Sequence, residues 1–142
     1  MPDYRKELIQ FVIAFSCGIF FITYFLKVPH MVTGKTKIVN EYYVKNFTKN
    51  VPLDLFFVAC YLLLAHIAIK ALEVRTVLGK IVVVGVVTAL LTAGFCYYFN
   101  SYKMSSNFFS KWFHTVGYSS VVYDVILLCF IYGIYLYLDK IV

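Results

Sequence analysis

The chain has 142 residues, of which 62% are hydrophobic and only 14% charged, with a mean hydropathy of +0.81. Soluble domains run at about 45–50% apolar and about 25% charged, so this composition excludes an ordinary water-soluble globule and points to an all-α integral membrane protein. The net charge of +6 sits in short stretches between apolar runs; no basic patch is long enough to follow a phosphate backbone, which excludes nucleic acid and favours membrane lipids as partners.

Spanning a bilayer takes about 20 apolar residues in a helix, and four runs qualify. The first, about 8–26, lies between Glu7 and Lys27. Its basic start at Arg5 and Lys6 imitates a signal peptide. The run is too long for an h-region, however, and no small-x-small cleavage site follows, so it reads as a retained anchor. A polar loop, 28–50, comes next and is expected to be extended or ordered by a partner. The second span is predicted over 51–72, with Pro52 in its first turn and Asp54 facing the positive end of the helix dipole. The third, 81–102, carries no charge at all. After loop 103–118, the fourth is predicted over 119–138, with Asp124 in its first turns.

None of these runs alternates with the period of a barrel strand, and in lipid only helices satisfy the backbone within one segment. The expected architecture is a single membrane domain over 1–142, a four-helix bundle of two hairpins with loop 73–80 between them. Both termini then lie on one side. Lysine and arginine counts on the two sides are nearly tied, but the terminal side packs Arg5, Lys6, Lys70, Arg75, Lys80 and Lys140 into shorter segments, which favours cytoplasmic termini. The sequon Asn46-Phe47-Thr48 lies in the opposite loop and agrees. Asp54 precedes Lys70 by the same spacing as Asp124 precedes Lys140, which raises a duplicated hairpin as one reading and dipole preference as the other.

Small residues recur on the third span at Gly85, Ala89 and Ala93, with Gly94 adjacent. Such a stripe lets backbones approach closely, within the bundle or between copies in a homo-oligomer. Four ionisable residues fall at membrane depth: Asp54, His66, Lys70 and Asp124. They are candidate intramembrane polar sites, with His66 predicted nearest the centre, although dipole complementarity and interhelical hydrogen bonding account for them without transport. The segment Thr115-Val116-Gly117-Tyr118 matches the start of a potassium-channel filter, but Ser119 stands where the second glycine belongs. This is the basis of an alternative reading as a small ion channel.

No sequence pattern supports an enzyme: there is no Gly-rich phosphate loop, no paired carboxylates on one helix and no metal-binding spacing. Cys17, Cys60, Cys96 and Cys129 each fall in a different apolar run and read as small hydrophobes. No catalytic residue, cofactor or metal is assigned. Aromatics cluster at Tyr42-Tyr43, at Tyr97, Tyr98 and Tyr102, and at Phe108, Phe109, Trp112 and Phe113. They are expected to form interfacial belts, and together with the lysines to dock a protein shell.

The segment Asn50-Val51-Pro52-Leu53-Asp54-Leu55 with its following Ala-Cys-Tyr-Leu-Leu-Leu-Ala run resembles small four-span membrane proteins of nucleocytoplasmic large DNA viruses. So does the stretch from Trp112-Phe113 through Gly117-Tyr118-Ser119 to Val122-Tyr123-Asp124-Val125-Ile126. The resemblance covers the chain from about residue 46 onward. It implies a structural or assembly protein of a virion inner membrane derived from host endomembranes, lying beneath a capsid. Its loops would then meet minor capsid proteins or other membrane proteins. It implies no catalytic or ligand-binding residues.

Overall fold

The computed structural model describes residues 4–101, 103 and 108–141. Helix α1 runs Tyr4–Gly18 and continues as a wider π-helical stretch, Ile19–Phe25. Two short helices follow, α2 (Val28–Thr33) and α3 (Thr36–Asn40), and a π-turn at Glu41–Lys45 leads into α4 (Phe47–Ala71). Then come α5 (Val77–Asn100), α6 (Phe108–Val116) and α7 (Ser119–Ile141). Among the described residues four helices are long and apolar enough to cross a membrane: α1 with its π extension, α4, α5 and α7. At 1.5 Å per residue the last three each reach about 35 Å, more than the roughly 30 Å hydrocarbon core.

These helices are apolar all round. Phe56, Leu63, Ile67, Leu78 and Leu90 stand exposed on α4 and α5, which in water would be an aggregation-prone surface and in lipid is the ordinary one. The helices stand in a curved row, each antiparallel to its neighbour: α1 against α7, α7 against α5, α5 against α4, with α4 only brushing α7. Helix α7 is the axis of the packing, burying Tyr123, Leu127, Leu128, Ile131 and Tyr132. Gly18 is required where α1 crosses it, since a Cβ there would collide with the Ile131 side chain.

The seam of α5 is Val84, Thr88, Thr92 and Cys96, buried at every fourth position. The predicted small-residue stripe runs beside it. Gly85 does meet α7, where a Cβ would come 3.2 Å from Cys129 Sγ, and Ala89 and Ala93 are half-buried. Gly94 is exposed and touches nothing. A helix of 3.6 residues per turn has carried it past the contact by that point.

Three expectations change. Loop 28–50 is folded rather than extended: Pro29 starts α2, and Gly34 (φ 66) ends it with a hydrogen bond from its N–H to the His30 carbonyl. Helix α4 begins a turn early, at Phe47, so Pro52 lies inside it and Asp54 is deeper than the first turn. The two hairpins are also not equivalent. Helices α5 and α7 pack along their length, whereas α1 and α4 share no extended interface because the second hairpin sits between them. Of the predicted aromatic clusters, Tyr102 and the side chains of Phe108 and Phe109 lie outside the described residues.

Candidate functional site

The end of the bundle opposite the termini is closed by a cap in which both long loops take part. Tyr24 Oη donates to the Tyr43 carbonyl (2.6 Å), fastening the π-turn to α1, and Thr23 Oγ1 meets Tyr123 Oη at 2.5 Å, fastening α1 to α7. Asn50 Nδ2 donates to the Tyr42 carbonyl (3.1 Å), holding α4 to the same turn. From the other hairpin, Trp112 of α6 packs against Tyr42 with ring centroids 5.0 Å apart, and Phe113 stacks on Phe99 at 5.3 Å. Tyr42, Tyr43, Trp112 and Phe113 are therefore buried. They are the interior of the cap rather than an interfacial belt, because Tyr42, Tyr43 and Trp112 pack on one another across the two loops and Phe113 packs on α5. Tyr97 and Tyr98 are exposed at this end, as an interfacial position requires. Burial pushes the Tyr42 and Tyr43 phenols above their usual range, and the nearby Asp54 charge adds to it, so both remain proton donors.

Beneath the cap lies a cavity of about 150 Å³ between α4, α5 and α7. Asp54 enters it from α4 and Asp124 from α7. Tyr42 Oη donates to Asp54 Oδ1, while Asp54 Oδ2 is buried with no hydrogen-bond partner among the described residues. Thr92 Oγ1 donates to Asp124 Oδ2 at 2.8 Å, and the Tyr61 hydroxyl lies 3.3 Å from the same threonine. The other walls are aromatic or aliphatic, among them Trp112, Phe57 and Phe95, and none of the described residues lining the cavity is basic.

Two carboxyl groups thus share one partly open pocket with neutral donors and, among the described residues, no cationic partner. No protein-family model, curated protein or solved structure matches this chain. The cavity must therefore be read from its own chemistry: half-buried acids among aromatic faces favour a positively charged occupant. No group of three or more His, Cys, Asp or Glu side chains suited to a metal ion occurs among the described residues.

The structure separates the four predicted polar residues into two pairs. Asp54 and Asp124 come together. His66 and Lys70 are exposed on the outer face of α4. With α4 running Phe47–Ala71, His66 lies near its end rather than at the membrane centre, and Lys70 is in its last turn. The filter-like segment is a helix end. Thr115 and Val116 belong to the last turn of α6, and Gly117 takes a left-handed conformation (φ 58) whose N–H bonds the Phe113 carbonyl at 3.0 Å. Its own carbonyl accepts from Ser120 Oγ (2.8 Å) and Cys96 Sγ (3.1 Å), and Tyr118 is exposed. A filter needs successive carbonyls free to face an ion, and helical backbone points them along its own axis instead.

Sequence reasoning missed Tyr42 and Thr92 as partners of the two acids, and Tyr61 and Trp112 as walls of their pocket. The repeat of Thr88, Thr92 and Cys96 every four residues was the one local sign of a polar seam on α5.

Proposed function

We propose that this chain is a structural membrane protein that anchors or organises the membrane beneath a capsid, as a component of a viral inner membrane. The observation that carries the reading is the cap. The described parts of both connecting loops form one buttressed plate with Tyr42, Tyr43, Trp112 and Phe113 turned inward, and Lys27, Lys35, Lys37, Lys45, Lys49 and Lys111 stand exposed at that end. Glu41, at 3.7 Å from Lys111, ties the π-turn to α6 across the plate. A firm, positively charged end on an otherwise lipid-facing bundle suits docking to an acidic protein shell, with headgroups of anionic lipid as the surrounding contact. The resemblance of residues 46 onward to small membrane proteins of large DNA viruses supports the same reading. Catalysis has no part in it.

The test is to purify particles from infected cultures that express the chain, strip them with mild detergent and follow the chain by mass spectrometry. Retention with the shell is the expected result. Release with the lipid would remove the docking role and leave organisation of the membrane, and absence from particles overturns the proposal.

A further inference from the structure

We propose that the cavity between α4, α5 and α7 binds an organic cation of the trimethylammonium class, with Asp54 and Asp124 as its counter-charges and the aromatic wall around Trp112 as its cage.

The argument starts from what the cavity lacks. Removing a carboxylate from water is costly unless it is paired, and a single phenol or threonine hydroxyl satisfies only part of its acceptor capacity. Asp54 has one oxygen bonded to Tyr42 and the other buried with no hydrogen-bond partner among the described residues, and Asp124 receives Thr92. Among the described residues no lysine, arginine or histidine lines the space. The missing element is positive charge.

Its chemical type follows from the walls. A small hard cation such as magnesium or calcium is held by six or more oxygens in a polar cage, whereas here two carboxyl groups are set among Tyr42, Tyr61, Phe57, Phe95 and Trp112. Aromatic faces attract diffuse cations, and quaternary ammonium groups are recognised by aromatic cages for that reason. A volume of about 150 Å³ is enough for a benzene-sized group, which a trimethylammonium head also is.

The position of the site admits two sources of that head. It lies just under the cap, at the level where the lipid headgroups of that leaflet are expected. Phe95 and Phe99 also border an open apolar groove along α5, formed with Leu90, Leu91, Gly94 and Tyr98. Gly94, which contributes nothing to helix packing, leaves room in this groove. An acyl chain lying there would bring the head of a choline lipid to the cavity, while a free choline-like cation would use the cavity alone.

Trp112 is the one tryptophan of the chain and lines the cavity, so its emission reports occupancy directly. The full chain is reconstituted in phosphatidylglycerol nanodiscs and titrated with choline or tetramethylammonium, at ionic strength held constant with potassium. The expected result is a saturable change in Trp112 emission. Choline's uncharged isostere, with a tert-butyl group in place of the trimethylammonium head, should give none. Asp54→Asn and Asp124→Asn keep the shape of the side chain and should each weaken binding at least about tenfold, with circular dichroism confirming the helical fold.

Phosphatidylcholine nanodiscs separate the two sources. If the lipid head fills the site, emission starts at its saturated value and added choline changes nothing. If only the free cation does, the titration repeats unchanged. Either outcome supports a cation site. No saturable change in phosphatidylglycerol, an equal response to the uncharged isostere, or folded Asn variants that titrate like the wild type would each overturn it.

Discussion

The two ends of the bundle are built on different principles. At the capped end, two loops, three helices and a π-turn interlock through buried tyrosine, asparagine and tryptophan contacts, and polar groups are placed at depth. At the terminal end, α4 and α5 are joined by a few residues only. Glu73 there adopts a left-handed φ of 55, Val74 N–H reaches back to the Ile69 carbonyl at 3.1 Å, and Thr76 caps α5 by accepting from Gly79 N–H at 3.0 Å. The second end is a minimal turn that reverses the chain. The first invests sequence in an interlocked structure, and it is at this end that the docking role is proposed.

Substitutions at the two ends should separate these roles. The largest effect belongs to Trp112→Ala, which empties a buried aromatic position contacted by Tyr42 and Tyr43. A loss of about 3–5 kcal/mol is expected, read as a fall in the unfolding midpoint of the detergent-solubilised protein. A loss below about 1 kcal/mol would mean that the cap is not a packed unit. Next comes Tyr42→Phe. It removes the hydroxyl that donates to Asp54 Oδ1 and leaves that oxygen without this donor, for a cost of about 1–3 kcal/mol in the same assay. Restoration of stability by the double variant Tyr42→Phe with Asp54→Leu would identify the orphaned carboxyl as the cause.

At the terminal end the sign reverses. Glu73→Gly should stabilise the protein by about 1 kcal/mol, because glycine takes the left-handed conformation without the steric penalty that glutamate bears. A destabilised variant would show that the Glu73 side chain makes a contact worth more than its strain. The smallest effect is that of the Glu41–Lys111 pair, whose side chains are 32% and 51% exposed. A double-mutant cycle to alanine should give a coupling of about 0.2–1 kcal/mol that fades as salt is raised. Salt-independent coupling would place the pair in a drier setting than its exposure indicates.

Much of this architecture was readable in the residues themselves. Four charge-poor runs separated by basic stretches leave helices crossing a bilayer as the way to satisfy every backbone group, and the observed helices α1, α4, α5 and α7 fall on those runs. Boundaries were less legible. Phe47-Thr48-Lys49-Asn50 gives no apolar signal, yet it forms the first turn of α4 because the cap packs on it through Asn50. The aromatic clusters were visible as clusters. Whether Tyr42 faces lipid or the interior depends on α6 arriving from a segment some 70 residues later, and no local pattern carries that.

The same division applies to the site. Asp54 and Asp124 could be singled out from the one-dimensional pattern because a carboxyl within an apolar run is costly wherever it points. His66 and Lys70 were singled out on equal grounds and lie on the opposite face of the problem, exposed along α4. Hydropathy is a property of each residue and its neighbours in the chain, so it established the helices and their lengths. Which carboxyl meets which threonine or phenol is a property of helix order and rotation, and the row α1, α7, α5, α4 is set by long-range packing at Gly18, Gly85 and the α5 seam. Those contacts join residues that are distant in sequence, and they exist only once the bundle has closed.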